Sequence, residues 1–208
     1  MIMLQFITHT TERYGYVEGA IAALNGGCKW IQLRMKEADP DEIRKAVDKL
    51  KPLCQEKGAI LLLDDHVELT SQLDIDGVHL GKNDMPPAEA RALIGEKYII
   101  GGTANTFDDI KNLVAQGVDY IGLGPFRYTE TKQNLSAIIG IEGYKNIISQ
   151  CHAAGITTPI VAIGGIEPDD ITAIMKAGLS GIALSGAILR SDNPTETTRK
   201  IITTLNNL

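Results

Sequence analysis

The feature that most constrains the fold of this chain is a regular alternation of strand-like and helix-like segments. Short apolar runs alternate with longer stretches that carry a helical repeat of apolar residues, and the pattern occurs eight times. The predicted strands are 4–7, 30–33, 60–63, 77–80, 99–101, 120–123, 160–163 and 181–184. The predicted helices are 16–24, 40–57, 68–73, 87–94, 107–116, 142–154, 168–177 and 194–205. Such alternation indicates parallel strands joined by helical crossovers.

The ends of the predicted helices support the same architecture. Several helices begin with Pro, which suits the first helical position, and segments 24–28, 114–118 and 176–180 each end a helix with Gly before the next strand. Eight such units predict an α/β fold with a single (β/α)8, or TIM, barrel domain over residues 1–208. An open doubly wound sheet is the alternative, but the Gly-x-Gly-x-x-Gly motif after its first strand is missing.

The composition limits the class of function. A chain of 208 residues with 44% hydrophobic and 22% charged residues can bury a sizeable core. Its formal net charge of −6 argues against a nucleic-acid binder, and no apolar run approaches the roughly 20 residues that span a bilayer. The three cysteines form no CxxC pair, and no basic segment precedes the first apolar run. We therefore expect a cytoplasmic protein that binds small molecules and neither nucleic acid nor membrane; an oligomer is possible.

A cluster of polar residues follows the second predicted strand. Gln32, Arg34 and Lys36 share one face of that strand, because side chains alternate between faces. They place two cations where a packed strand would carry apolar groups. A phosphate or diphosphate would fit there, since Arg grips it with a planar fork and Lys adds a point charge. On these three residues alone, a frayed strand end with solvated charges is the alternative.

Other polar residues and glycines follow the remaining strands, at the end of the barrel where active sites form. These residues are Asp64, Asp65, Asp84, Thr103, Thr129, Thr131, Lys132, Gly164, Gly165, Ser185 and Gly186. Several of them lie in the one long predicted loop, 124–141, and long loops in compact domains are often functional.

Two of the acidic residues could form a metal site. Asp65 and Asp84 follow neighbouring strands, and Mg²⁺ takes few protein carboxylates while filling its shell with water and substrate phosphate oxygens. Taken singly, each Asp could instead be a helix cap or a loop acid. Beside the cations of Arg34 and Lys36, a metal bridge to the same diphosphate is the better interpretation.

A second anion site is predicted after the last two strands. Gly164-Gly165 and Ser185-Gly186 stand where loops of such barrels bind phosphate through backbone N–H groups, and Gly lets the backbone approach closely. Two anion sites imply two phosphorylated ligands. A diphosphate held by cations and Mg²⁺ would be a leaving group whose charge is neutralised as it departs.

Together these motifs resemble the thiamine-phosphate synthase family over nearly the whole chain. The family pattern QxRxK is met by Gln32, Arg34 and Lys36, DGxHxGxxD by residues 76–84, GPxxxTxTK by 124–132 and xAIGGI by 161–166. The resemblance implies a Mg²⁺-dependent condensation of 4-amino-2-methyl-5-(diphosphooxymethyl)pyrimidine with a thiazole phosphate. The products would be thiamine phosphate and diphosphate.

The resemblance also implies roles for the site residues. Those that would hold the pyrimidine diphosphate are Gln32, Arg34, Lys36, Asp64, Thr103 and Lys132, of which Arg34, Lys36 and Lys132 would be catalytic. Those that would hold the thiazole phosphate are Thr129, Thr131, Gly164, Gly165, Ser185 and Gly186. Asp65 and Asp84 would bind Mg²⁺. The chain departs from the family at Asp64, where Asn is usual, at Thr103, where Ser is typical, and at Gly186, where Ser is more usual.

Two other functions stay open at this point. A thiazole tautomerase-like barrel binds a similar phosphate but cleaves no diphosphate; that branch has a His after the sixth strand, where this chain has Pro125. A non-catalytic phosphate-binding barrel would need neither the two metal carboxylates nor Lys132. His79 falls within the fourth predicted strand, and we expect it to be a hydrogen-bonded interior residue.

Overall fold

The computed structural model describes residues 3–128 and 137–208, and across them eight parallel strands close into a barrel. The strands are β1 (Met3–Ile7), β2 (Trp30–Leu33), β3 (Ile60–Asp64), β4 (Gly77–Leu80), β5 (Ile99–Ala104), β6 (Tyr120–Leu123), β7 (Ile160–Ile163) and β8 (Gly181–Leu184). Each strand pairs in parallel with the next, and β8 pairs with β1. The predicted (β/α)8 barrel is confirmed, and the open doubly wound sheet is wrong.

Helices follow the strands around the outside of the barrel. They are α1 (Tyr16–Asn25), α2 (Pro40–Lys57), α3 (Val67–Gln72), α4 (Pro87–Ile94), α5 (Phe107–Ala115), α6 (Gly140–Ala153), α7 (Ile171–Lys176), α8 (Gly186–Leu189) and α9 (Pro194–Asn206). Of the helices in the described ranges, none is both long and apolar enough to cross a membrane.

Helix α2 illustrates why the helices begin and end where the sequence predicts. The Asp39 carboxylate accepts a hydrogen bond from the Glu42 N–H at 2.9 Å, and the Glu42 carboxylate accepts one from the Asp39 N–H at 3.1 Å. This reciprocal capping satisfies N–H groups that have no partner in the first turn, and Pro40 follows at the first helical position. Gly58 ends the helix in the left-handed conformation, with φ 58° and ψ 44°.

The structure differs from the predicted elements mainly at their ends. Strands β3 and β5 extend to Asp64 and Ala104, so Asp64 and Thr103 lie within strands and not after them. The ladder to β6 holds this part of β5, although Gly101 and Gly102 have low strand preference. The helix predicted at 168–177 begins as a 3-10 turn, and α8 was not predicted because four residues are too few to show an apolar repeat.

Two apolar layers surround the strands, because successive side chains of a strand point to opposite faces. Outward side chains of β2 and β3, which pack in the layer that includes the helices, are Ile31, Leu33, Leu61 and Leu63. Trp30 and Leu62 belong to a separate cluster that fills the barrel interior. Gln32 and Asp64 have the same parity as Trp30 and Leu62. They are therefore inward-facing polar residues at the carboxyl end of the barrel, and both are buried.

The outer layer gives a test of the packing. Ile31→Ala should lower the free energy of unfolding by about 2–5 kcal/mol, because truncating this fully buried side chain leaves a cavity. Leu93→Ala on the exposed face of α4 is the control and should change it by less than about 0.5 kcal/mol. Urea unfolding followed by circular dichroism measures both. Equal losses would mean that Ile31 does not pack in the core.

Candidate active site

A pocket opens at the carboxyl ends of the barrel strands, and all eight strands or their following loops contribute to it. Predicted site residues that line it are Gln32, Arg34, Lys36, Asp64, Asp65, Thr103, Gly164, Gly165, Ser185 and Gly186. Asp84 lies beside this pocket, in contact with Asp65. Thr129, Thr131 and Lys132 lie outside the described residues.

Arg34 and Lys36 each pair with a carboxylate at the end of β3. The Arg34 Nε atom lies 3.4 Å from Asp64 Oδ2, and the Lys36 Nζ atom lies 3.2 Å from Asp65 Oδ2. Burial raises the pKa of Asp64, while the charges of Arg34 and Lys36 and a hydrogen bond from Gln32 favour its ionised form. Both cations line the pocket. This arrangement favours an anion site over a frayed strand end.

The carboxyl groups of Asp65 and Asp84 are hydrogen-bonded to each other. Burial, this hydrogen bond and the nearby charges of Asp64 and Asp84 raise the pKa of Asp65 to about 7. Burial acts in the same direction on Asp84, but the hydrogen bonds from Asp65 and from the Gly81 N–H, at 2.5 Å, hold its pKa below the usual value. The two carboxyl groups therefore share one proton near neutral pH.

A shared proton between two carboxyl groups marks a place that a cation can take. The donor set is hard oxygen, which suits Mg²⁺. Within residues 3–128 and 137–208 no group of three or more His, Cys, Asp and Glu side chains is arranged to hold a metal. The pair fits an ion that takes two protein ligands and completes its shell from water and substrate.

The backbone at Asp65 adopts an unusual conformation. Its φ is 69°, in the left-handed region that residues other than Gly seldom enter. The Asp65 N–H donates to the His79 carbonyl oxygen at 2.9 Å, and the His66 N–H donates to the Asp64 carbonyl oxygen at 2.9 Å. These hydrogen bonds hold the turn directly after β3, at a cost on the order of 1–3 kcal/mol. The turn brings the Asp65 carboxyl group against Asp84.

A chain of hydrogen-bonded side chains runs through the barrel interior to the pocket. The Gln5 amide nitrogen donates to the Tyr120 hydroxyl at 3.0 Å, and that hydroxyl lies 2.8 Å from His79 Nδ1. His79 Nε2 lies 2.9 Å from the Thr103 hydroxyl. The prediction that His79 is a hydrogen-bonded interior residue is confirmed.

The direction of this chain follows from hydrogen-bond chemistry. The Tyr120 oxygen accepts a hydrogen bond from Gln5, so the Tyr120 hydroxyl is free to donate its own hydrogen to another acceptor. A buried donor is rarely left without an acceptor. That acceptor is His79 Nδ1, which places the His79 proton on Nε2. His79 then donates to the hydroxyl of Thr103, which lines the pocket.

His9 and Arg190 are among the pocket residues that sequence reasoning missed. The Ser185 hydroxyl donates to the Ile7 carbonyl at 2.5 Å and so accepts from His9 Nδ1, which lies at 2.6 Å. Burial and the charges of Arg190 and Arg34 lower the pKa of His9. His9 is the second residue after β1, so inspection of every strand end could have found it. Arg190 follows α8, which the sequence pattern did not reveal.

The glycines after β7 and β8 are needed for close contacts. Gly165 has φ 68°, and a Cβ atom there would lie 2.7 Å from the Tyr128 carbonyl oxygen and 2.8 Å from that of Arg127. A Cβ atom on Gly186 would lie 2.2 Å from Arg190 Nη1. Gly165 thus packs against the backbone of the loop after β6, whereas Gly186 makes room for a guanidinium group. A side chain at Gly165 would disturb the loop whether or not a ligand binds.

Comparison with known proteins bears on this site. A family model described as thiamine monophosphate synthase matches residues 4–188. A thiamine-phosphate synthase from Bacteroides fragilis is 61% identical over 202 residues, which cover 97% of this chain and 99% of the relative. Another, from Bacteroides thetaiotaomicron, is 60% identical over 97% of both chains. A solved thiamine phosphate pyrophosphorylase from Pyrococcus furiosus has a TM-score of 0.84 and 32% identity, with 98% of this chain and 96% of that one covered.

The interior hydrogen-bond chain gives a prediction that does not depend on the comparison with known proteins. In ¹⁵N NMR, His79 should show an unprotonated Nδ1 and a protonated Nε2, because Tyr120 donates to Nδ1. His79→Gln identifies the resonances among the four histidines. Tyr120→Phe removes the hydrogen that fixes the tautomer, so both tautomers should then be populated. A proton on Nδ1 in the unsubstituted protein would contradict the proposed direction.

Proposed function

The chain belongs to the thiamine monophosphate synthase family, and we propose that its pocket joins a pyrimidine diphosphate to a thiazole phosphate. The substrates are 4-amino-2-methyl-5-(diphosphooxymethyl)pyrimidine and the thiazole phosphate, and the products are thiamine phosphate and diphosphate. The observation that carries this proposal is that two cations, each paired with a carboxylate, lie beside the contacting carboxyl groups of Asp65 and Asp84 at one edge of the pocket. Neither a thiazole tautomerase-like barrel nor a non-catalytic phosphate-binding barrel requires that combination of groups.

On the diphosphate side, Arg34 and Lys36 are the groups proposed to hold the leaving group. Both line the pocket, and each is now balanced by a carboxylate that an incoming diphosphate can replace as partner. Their charge would stabilise the diphosphate as its bond to the pyrimidine methylene breaks, before the thiazole nitrogen attacks that carbon. Lys132 is proposed to act with them; it lies outside the described residues.

The Asp65–Asp84 pair is proposed to hold Mg²⁺. The two carboxyl groups already lie in contact, and the metal would take the place of the proton that they share. When bound, Mg²⁺ supplies positive charge that lowers the energy of the departing diphosphate. Lys36, which pairs with Asp65, would keep that carboxylate oriented and add its own charge at the same edge.

On the other side of the pocket, the proposed phosphate cradle consists of Gly164, Gly165, Ser185, Gly186 and Arg190. The Ser185 hydroxyl donates to the Ile7 carbonyl, so the group proposed to contact phosphate is its backbone N–H. The Arg190 guanidinium, packed against Gly186, supplies the charge. Thr129 and Thr131 are proposed to complete this cradle.

We also propose a cytoplasmic location and small-molecule partners alone. All three cysteines are free thiols, and each is buried, which suits a reducing compartment.

Diphosphate release in the presence of both substrates and Mg²⁺ tests the proposed function directly. Release should require both substrates, and Asp65→Asn or Asp84→Asn should abolish it. Because Asn has the shape of Asp and can keep a hydrogen bond across the pair, both variants should stay folded and melt near the temperature of the unsubstituted protein without metal. Mg²⁺ should raise the melting temperature of the unsubstituted protein and not that of either variant. Asp108→Asn removes an exposed carboxylate and is the control, with turnover expected to stay normal. Normal Mg²⁺-dependent turnover in Asp84→Asn would refute the metal site.

Two arginine variants separate the two anion sites. Arg34→Gln should weaken binding of the pyrimidine diphosphate by about 2–5 kcal/mol, since a charge-assisted contact in a partly buried site is lost. Arg190→Gln should weaken thiazole phosphate binding instead, and each variant controls for the other. Lys132→Gln should resemble Arg34→Gln. Calorimetry with each ligand alone provides the affinities, and equal losses for both ligands would show that the two sites are misassigned.

A further inference from the structure

Gln32 and Asp64 form a buried polar pair in the wall of the pocket. The Gln32 amide nitrogen donates a hydrogen bond to Asp64 Oδ1, and the exposed fractions of the two residues are 2% and 6%. The other end of the amide, the Gln32 carbonyl oxygen Oε1, is buried and has no hydrogen-bond partner within the described part of the chain. An unpartnered buried acceptor costs about 1–3 kcal/mol, so a ligand or water must be expected beside it.

Asp64 determines which end of the Gln32 amide turns toward it and which end turns away. A Gln side chain can be turned over, because its amino and carbonyl ends have nearly the same shape. The two oxygens of Asp64 both act as acceptors here, one toward Gln32 and the other toward Arg34 Nε at 3.4 Å. Only the amino end of Gln32 can therefore face Asp64. The carbonyl end is forced away from it.

Asn at position 64 would not impose this orientation. An Asn side chain carries a donor and an acceptor, so it can pair with either end of the Gln32 amide. The Gln32 amide could then present either its carbonyl oxygen or its amino group to the ligand. The Asp64 carboxylate, where the family usually has Asn, removes that freedom.

A fixed acceptor in the pocket discriminates between ring substituents. Of the two proposed substrates, only the pyrimidine carries an N–H donor, on its exocyclic amino group. An oxo group at the same ring position would bring a second acceptor against Gln32 Oε1. Such a mismatch leaves both oxygens unpaired and opposes binding.

We propose that Asp64 is a positioning residue that holds the Gln32 carbonyl toward the pocket and so makes the site select an amino-bearing ring over its oxo counterpart. The substrate named here rests on the proposed function; the orientation of Gln32 does not. Asp64 acts through Gln32 and does not itself touch the ring. Because Asp64 also pairs with Arg34, its substitution should weaken diphosphate binding for both rings alike. The informative quantity is therefore the ratio of the two affinities.

The test measures binding of the 4-amino pyrimidine diphosphate and of its 4-oxo counterpart by calorimetry with Mg²⁺ and without thiazole phosphate. The unsubstituted protein should prefer the amino ring by at least about tenfold. Asp64→Asn should reduce that preference by about tenfold. The loss of affinity common to both rings cancels in the ratio, so the change in the ratio should come chiefly from relatively tighter binding of the 4-oxo ring. Asp48→Asn, an exposed carboxylate-to-amide change, should leave the ratio unchanged.

A double-variant cycle separates positioning from a general structural effect. Gln32→Met removes the acceptor, so it should abolish the preference, and adding Asp64→Asn to it should change the ratio no further. A folded Asp64→Asn protein with the original ratio would overturn the proposal. Equal binding of both rings by the unsubstituted protein would also overturn the proposal, and this result does not depend on whether any variant folds. Failure of the proposed function differs from both, because the unsubstituted protein would then release no diphosphate and bind neither ring.

Discussion

The site depends on the two-residue periodicity of strands β2 and β3. Their odd-numbered residues pack outward under the helices, and their even-numbered residues point into the barrel. Trp30 and Leu62 fill the interior, and the same parity brings Gln32 and Asp64 to its upper end. The apolar packing of the outer layer therefore fixes which polar groups face the ligand. A shift of register by one residue would bury the charges among the helices and expose leucines to the pocket.

Charge balance explains how a pocket with so many ionisable groups can exist without ligand. Arg34 is matched by Asp64, Lys36 by Asp65, and the second carboxylate of the metal pair by a shared proton. Each of these partners is weaker than the one that a substrate or metal would offer. In the proposed reaction the diphosphate would pair with the cations and Mg²⁺ with the carboxylates, so each would favour binding of the other.

Much of the fold and part of the site could be predicted from the sequence, for physical reasons. Alternating apolar periodicities and helix-end residues are local signals, and they were sufficient for the barrel and for nearly every element. Gln32, Arg34 and Lys36 were found because their spacing matches the strand period. Contacts between distant segments leave no such local signal. Three such contacts depend on the closed barrel. They are the Ser185 hydrogen bond to Ile7, the packing of Gly165 on the loop after β6, and the position of Arg190 directly after the one-turn helix α8.

The left-handed backbone of Asp65 has a consequence for the evolution of stability in this protein. Glycine would adopt that conformation with less strain. A laboratory screen for heat resistance alone should therefore select substitutions at this position, and the selected variants should lack one carboxylate of the proposed metal site. The native chain has local strain at a position where the proposed metal site requires a carboxylate, as expected when selection acts on function above a sufficient level of stability.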